Sequence, residues 1–449
     1  MKYRDRAPID RVTIPIQRFI KQEKSGGLVL GISVIVALVL ANSPWRTEYF
    51  SFFDQKFGFT FRGETYLEFS LLQWINDGLM AVFFFMVGLE LKREIIAGEL
   101  SDIKNALSPV IAAIGGSLVP ALIYFSLNSV GEVHSGWGIP MATDIAFALG
   151  VLYLLGDRIP LSIKVFLTAL AIIDDLMAVL VIAFFYTSDI SLMNLLIGFL
   201  FFAAMFIGNR IGVRSILFYA VLGIGGLWTA FLLSGVHATI AAVIAAFAIP
   251  VDVRIKESVF LARMKKLVNR FYRIDPDDKV PTVTFEQLQV LERIIGDTKR
   301  ATPPSQRLES FLSPLVAFVI IPIFAVANAG VDIVDISPDT LFDTNVATGV
   351  ALGLFVGKVV GIMGFTWLFI KFGVTSMPRN MDMKKLLGLS FLAAIGFTMS
   401  LFITQLAFVT EVYKTQAKVG IFVASIAGGI IGYTILKRQT APAVKDDVG

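Results

Sequence analysis

Residues 168–187 read TALAIIDDLMAVLVIAFFYT. The run matches the roughly 20 apolar residues that a helix needs to cross the hydrocarbon core of a bilayer, yet it carries two adjacent aspartates, Asp174 and Asp175. An ionisable group at that depth costs about 2.5–3.5 kcal/mol on insertion scales, and such groups face a bundle interior or a cavity where they do chemistry. A buried helix of a soluble protein could show the same letters. The rest of the chain excludes that: its 449 residues are 56% hydrophobic and 16% charged, where a soluble domain averages about 25% charged.

Working outward from this run, apolar stretches of spanning length recur near 26–43, 71–91, 106–128, 137–155, 161–186, 191–208, 214–234, 236–250, 309–331, 346–370, 386–409 and 416–436. That predicts an all-α polytopic membrane protein with twelve transmembrane helices. The weakest division is between the seventh and eighth runs, where only Ser234-Gly235 intervenes. Charge tests the count. With the N-terminus in the cytoplasm, 33 of the 39 Lys and Arg fall in the tails and even-numbered connections, and five on the other side. Positive charge concentrates on the cytoplasmic side of membrane proteins, so the pattern predicts twelve spans with both termini inside. The remaining basic residue is Lys358, in the middle of the tenth run. The first 24 residues are too polar for a signal peptide. One transmembrane domain over 1–449 is expected, with cytoplasmic tails at 1–25 and 437–449 and a long cytoplasmic loop at 251–308. Its net charge of +4 sits in such loops, so no nucleic-acid partner is expected; the partner is the lipid bilayer.

There are no cysteines and only two histidines, His134 and His237. Thiol chemistry is excluded, a multi-histidine metal site has too few ligands, and no cofactor is expected. What remains is a set of groups misplaced in a bilayer: Asp77, Asp144, Asp174, Asp175 and Lys358 well inside spans, and Glu90 near the end of one. Adjacent helical residues point about 100° apart, so one member of the Asp174-Asp175 pair can face a partner while the other faces a cavity. Two close carboxylates in low dielectric resist carrying two charges at once, so protons compete with a cation for them. Oxygen ligands suit a hard ion such as Na+ or Li+. Competition of that kind is the chemistry of cation/proton exchange.

The fourth run reads GWGIPMATDIAFALG from Gly136. Pro140 removes a helix donor, and unwound backbone at membrane depth is tolerated only beside protein or a cavity. Asp144 then stands where it offsets the positive end of the half-helix that follows. The eleventh run contains AAIGFTMSLF, weakened at Gly396 and the Thr398/Ser400 pair. Spans 3–5 and 10–12 thus each hold a disrupted middle member, the pattern of inverted repeats with two broken helices crossing at the midplane. Outside the spans, residues 57–69 alternate apolar and polar around Arg62-Gly63 and predict a short external β-hairpin. Residues 258–272 form a basic amphipathic helix suited to an anionic leaflet or to a solvated surface, and Thr284 with Gln287 makes a capping-box pattern.

Seven stretches carry a resemblance: NDGLMAVFFFMVGLELKREI (76–95), MATDIAFALGVL (141–152), ALAIIDDLMAVL (169–180), SGVHATIAAVI (234–244), FAVANAGV (324–331), GLFVGKVVGI (353–362) and GFTMSLFI (396–403). The chain is similar in these to the NhaA family of sodium/proton antiporters. The resemblance implies an electrogenic Na+(Li+)/H+ antiporter, working by alternating access in pH and sodium homeostasis, and no enzyme. It implies Asp175 as the main cation carboxylate, Asp174 as the proton-carrying partner of Lys358, and Thr143 and Asp144 at the helix crossing, with Asp144 compensating helix dipoles and Asp174 and Thr143 also near the Na+. It implies Glu90, Arg93, Glu94, Glu309 and His237 as residues of the pH response, Asp77 as accessory, and a homodimer joined through the external hairpin 57–69. Two places where the family often has histidine are Ser310 and Ser313 here, and loop 251–308 is longer than usual, which bears on the pH set-point. A sodium-coupled solute symporter would also use an oxygen-lined site and broken helices. An intramembrane aspartyl protease would leave Lys358 without a role.

Overall fold

The computed structural model describes residues 24–61, 64–187, 190–274, 282–332, 343–378 and 380–440. Residues 1–23, the hairpin tip Arg62-Gly63 and residues 441–449 lie outside these, so the two terminal tails are described only in part.

The chain is mostly helical. Helix α1 (Lys24–Ala41) turns into α2 (Arg46–Asp54). Strands β1 (Lys56–Phe61) and β2 (Glu64–Ser70) follow as an antiparallel pair, Lys56 opposite Ser70 and Phe57 opposite Phe69, with an irregularity between Phe57 and Phe59. The chain then enters a π-helical turn, Trp74–Leu79, that runs straight into α3 (Met80–Ala97). After α4 (Ile103–Leu127) comes a 3-10 segment, Glu132–Met141, and α5 (Ile145–Tyr153). Next are α6 (Leu161–Phe185), α7 (Leu192–Arg210), α8 (Ile216–Ser234) and α9 (Ala238–Ala248). Helices α10 (Glu257–Ile274) and α11 (Phe285–Ala301) form the long connection, and the Thr284/Gln287 capping box is made in both directions. The remaining elements are α12 (Pro304–Asn328), α13 (Val346–Lys371), α14 (Met383–Ala393), α15 (Phe397–Ala407) and α16 (Glu411–Gln439).

Among the described residues, eight helices are long and apolar enough to cross a membrane, and ten if the bent pairs α1/α2 and α14/α15 each count once. The other two runs of the twelve behave differently for visible reasons. Helix α9 is apolar but only 11 residues long. Helix α3 ends in a charged turn at Glu90, Lys92, Arg93 and Glu94. The division between α8 and α9 is made by Gly235, which takes φ +83°, a left-handed conformation that a side chain disfavours; Ser234 Oγ bonds back to Phe231 O at 2.7 Å and closes the turn.

Helix α6 sits at the centre: 72% of its apolar window is buried inside the protein, against 17% for α7 on the periphery. Lipid tails are as apolar as the side chains, so helices in a bilayer gain by close packing of small residues rather than by hydrophobic burial. Helices α4 and α13 show this. Gly353, Gly357 and Gly361 recur every fourth residue along α13 and press on Pro140, Pro120 and Gly115. A Cβ on Gly357 would lie 2.7 Å from Pro120 Cα, and one on Gly353 would lie 2.7 Å from Pro140 Cβ. Gly88 of α3 meets Ala246 of α9 in the same way. There Lys92 Nζ donates to Phe247 O (2.6 Å) and to Ile249 O, satisfying carbonyls that the end of α9 leaves without helical partners.

Candidate functional site

Two interruptions of the backbone meet beside α6. In the first, the 3-10 segment ends at Met141 and Ala142–Asp144 run extended before α5 begins. In the second, α14 stops at Ala393 and α15 starts at Phe397, with a bend of 46°. They are stitched together. Asp144 N donates to Ile395 O at 2.6 Å. Thr143 Oγ1 donates to Ala393 O at 2.9 Å, and Ser400 Oγ donates to Ile139 O at 2.8 Å. The Asp144 carboxylate, 1% exposed, caps both half-helices. Its Oδ1 accepts from Phe147 N at 2.9 Å, and its Oδ2 accepts from Thr398 N at 2.9 Å and Thr398 Oγ1 at 2.6 Å. One negative charge thus lies between two helix N-termini, whose free N–H groups and dipoles attract it. The sequence expectation for Asp144 involved one half-helix; the second partner, Thr398, is 254 residues away along the chain.

Asp174 and Asp175 are both buried in the middle of α6. Lys358 Nζ donates to Asp174 Oδ2, with neither side chain exposed. Ser117 Oγ of α4 donates to Asp174 Oδ1 at 2.9 Å. Asp175 Oδ1 is buried and has no hydrogen-bond donor among the described residues. Asp174, Asp144, Lys358 and Glu90 all lie within electrostatic reach of Asp175. Lys358 is aimed by its own helix, because it directly follows a π-helical turn, Gly353–Gly357, the kind of local rewinding that often accompanies function. The glycines that bring α13 against α4 therefore also bring Lys358 and Ser117 to the same carboxylate.

A second cluster gathers where α3 meets α12. Arg93 pairs with Glu309 and, at 2.9 Å, with Glu94; Glu90 lies within reach of Glu309, Arg93 and Glu94. Three carboxylates share one guanidinium, since the neighbouring Lys92 is turned to the end of α9. Asp77 stands at the other end of the same run, roughly 20 Å from Glu90 at the helical rise. It lies within electrostatic reach of His237, and His237 Nε2 is 2.9 Å from Tyr186 O. Ser310 and Ser313 are exposed on α12.

The structure thus sorts the sequence candidates into three groups: Asp174, Asp175, Lys358, Thr143 and Asp144 at the centre; Glu90, Arg93, Glu94 and Glu309 at one end; Asp77 and His237 at the other. Sequence reasoning passed over Ser117, for which a lone serine gives no signal. It also passed over the glycine ladder of α13, whose four-residue spacing was available, and Tyr186. The Tyr186 hydroxyl donates to Ser135 O at 2.5 Å and accepts from Gly138 N at 3.2 Å, holding the broken segment to the end of α6.

This arrangement has relatives. The family model described as Na+/H+ antiporter 1 matches residues 17–436. The chain belongs to the Na+/H+ antiporter 1 family. Within it, the chain is 46% identical over 434 residues to the Na+/H+ antiporter NhaA 2 of Syntrophotalea carbinolica, covering 95% of this chain and 97% of that one. It is 44% identical over 430 residues to the Na+/H+ antiporter NhaA of Oleidesulfovibrio alaskensis, with 96% and 95% covered, and 45% identical over 416 residues to that of Wolinella succinogenes, with 92% and 91% covered. Membership in this antiporter family makes the chain a multi-pass bacterial membrane protein, in keeping with its apolar helices.

Proposed function

We propose that this chain exchanges Na+, and Li+, for protons across the bacterial inner membrane, with Asp175 as the cation ligand and the Lys358–Asp174 pair as its proton partner. One observation carries the proposal: a fully buried ion pair stands beside a second buried carboxylate with an oxygen that no donor among the described residues occupies. A desolvated Na+ is stabilised by anionic and dipolar oxygens. Asp175 supplies the first, and we assign the second to Thr143 and the unwound backbone at the crossing, a reading supported by the Thr143 hydroxyl lying buried there beside α5. The same oxygens take a proton, so the two ions exclude each other. A cation that takes Asp174 as well as Asp175 as ligands displaces Lys358 from its ion pair, and a buried ammonium left without a counter-charge gives up its proton, as Asp175 has already done. Two protons then leave for one cation, the exchange moves charge, and an inside-negative potential helps to expel sodium.

Around this chemistry the fold works as twelve spans with both termini cytoplasmic, Leu71–Ala97 and Ala238–Ala248 completing the ten. Spans 3–5 and 10–12 act as inverted repeats, and the Asp144 crossing is the pivot for alternating access. Glu90, Arg93, Glu94 and Glu309 line the cytoplasmic entrance, where three carboxylates attract cations and sense pH, with His237 and Asp77 on the opposite side. Two copies pair through the hairpin 57–69; exposed Phe57 and Phe59 support that contact.

The test uses purified protein in proteoliposomes holding a pH-sensitive dye and an imposed proton gradient. Na+ and Li+ collapse the gradient with wild type and fail to do so with Asp175→Asn. Lowering the pH raises the apparent KM for Na+ and leaves Vmax in place. A pH effect confined to Vmax would overturn the shared site. Absence of any cation-driven proton movement between about pH 6 and 9, the range in which perturbed carboxylates titrate, would overturn exchange and make sodium-driven solute uptake the next assay.

A further inference from the structure

A cavity of about 480 Å³ lies between α1, α5, α15 and α16, within the size range of ligand pockets. Its inner wall is the back of the helix crossing. Phe147, Ile395 and Phe397 line it. Phe147 N donates to Asp144 Oδ1 and Ile395 O accepts from Asp144 N, while Phe397 directly precedes Thr398, the other Asp144 donor. The Phe397 ring stacks on Phe422, centroids 5.3 Å apart, and meets Phe147 edge-on at 5.3 Å. The opposite wall owes its space to two glycines. A Cβ on Gly31 would meet Phe147 Cζ at 3.9 Å, and one on Gly429 would meet Ile395 Cδ1 at 3.5 Å. Both are ordinary contacts, so neither close packing nor backbone conformation demands glycine there.

The cavity is continuous with the lipid-facing surface of the spans. Ile426 and Ile430 at its rim are 64% and 62% exposed, and Ile35 and Val39 extend the same apolar surface along α1. Apolar cavities of this kind stay free of water and take apolar guests, and in a bilayer the apolar guest at hand is hydrocarbon.

We propose that this cavity seats one acyl chain of a bilayer phospholipid, and that the seated chain braces the crossing at Asp144 from behind and so modulates exchange. The seating stands independently of the transport activity; the modulation rests on the exchange reading. Full-length protein is placed in phosphatidylethanolamine/phosphatidylglycerol liposomes doped with a phospholipid whose acyl chain carries a diazirine, irradiated, and its adducts mapped by mass spectrometry. Adducts concentrate on Phe147, Phe397 and Phe422 above the level on Leu196 and Leu200, which α7 exposes to the same bilayer. Gly429→Leu, and separately Gly31→Leu, lose the cavity adducts and keep those on Leu196, whereas Gly429→Ala retains both; the retained Leu196 labelling shows that the variants are inserted and folded. In proton-gradient assays, wild-type exchange varies between short-chain and long-chain lipids and the two leucine variants lose that dependence. Wild-type cavity labelling no higher than on Leu196 and Leu200, or unchanged labelling in both leucine variants, overturns the seating. Lost adducts with chain-length dependence intact overturn the modulation. Cavity adducts in a protein that moves no protons uphold the seating and overturn the exchange reading instead.

Discussion

Lys358 and Asp174 carry opposite charges with no exposed side-chain surface. Pairs of this kind add little net stability, but removing one partner strands the other at a cost of about 3–5 kcal/mol. Lys358→Ala therefore lowers the thermal unfolding midpoint in detergent sharply, and Lys358→Met combined with Asp174→Asn recovers much of the loss. Equal midpoints for the single and the double variant would show that the pair does not carry this energy. Ser117→Ala removes one donor from Asp174, worth about 1.5–3 kcal/mol for a bond to a charged group, and should change the apparent KM for Na+ with little change in amount of folded protein. Asp144→Asn removes the charge that two half-helices share and replaces one of the two acceptor oxygens by an amide NH2 facing an N–H donor, so one cap is lost with the charge; a penalty of at least roughly 1–2 kcal/mol is expected, read as a lower melting midpoint. At this scale the sequence displayed the charges, because ionisable residues in apolar runs stand out. It did not display their donors. Ser117 and Thr398 look like any hydroxyl in a span until α4 is brought to α6 and α15 to the start of α5.

Among the elements, the contact between α4 and α13 decides where Lys358 goes. Gly357→Val would place side-chain atoms inside Pro120, since a Cβ already falls 2.7 Å from its Cα. Overpacking a close contact typically costs 1–3 kcal/mol and more where backbone must move. Gly357→Val should therefore lose both thermal stability and exchange, while Gly364→Val, on the same helix with open space around it, should leave both near wild type. Comparable losses at the two positions would mean that general damage to α13, not its contact with α4, is responsible. The broken elements were partly legible: Gly138 and Pro140 announced the first interruption, and Gly396 with its hydroxyl neighbours the second. The π-helical turns at Trp74–Leu79 and Gly353–Gly357 were not, because a single extra residue in a helical turn leaves no mark on hydrophobic periodicity.

For the whole molecule, the hairpin of β1 and β2 pairs with no other strand among the described residues and leaves Phe57 and Phe59 more than half exposed. A two-stranded hairpin alone is marginal in water, so apolar residues kept on one point to a partner. On the proposed pairing through this hairpin, wild type runs as a dimer in size-exclusion light scattering, and replacing residues 57–69 by a short Gly-Ser turn should make it a monomer and leave the proposed Na+/H+ exchange per chain in place. A dimer that persists would place the contact elsewhere.

The sequence by itself determined that this chain lives in a bilayer, roughly where it crosses, that Asp144, Asp174, Asp175 and Lys358 are buried, though not that Lys92 and Lys418 are, and which family it resembles. The first three follow from composition, run length and the high cost of a charge in hydrocarbon, and the last from seven matching stretches, all of which are local features of the chain. The resemblance already implied Asp174 as the partner of Lys358; only the tertiary structure decided that an oxygen of Asp175 is left without a donor among the described residues, that Thr398 and Phe147 donate to the two oxygens of Asp144, and that Glu309 joins Arg93 across 216 residues of chain. Those depend on the rotation and close approach of helices, which small residues permit but whose outcome is set jointly by every neighbour in the packed bundle.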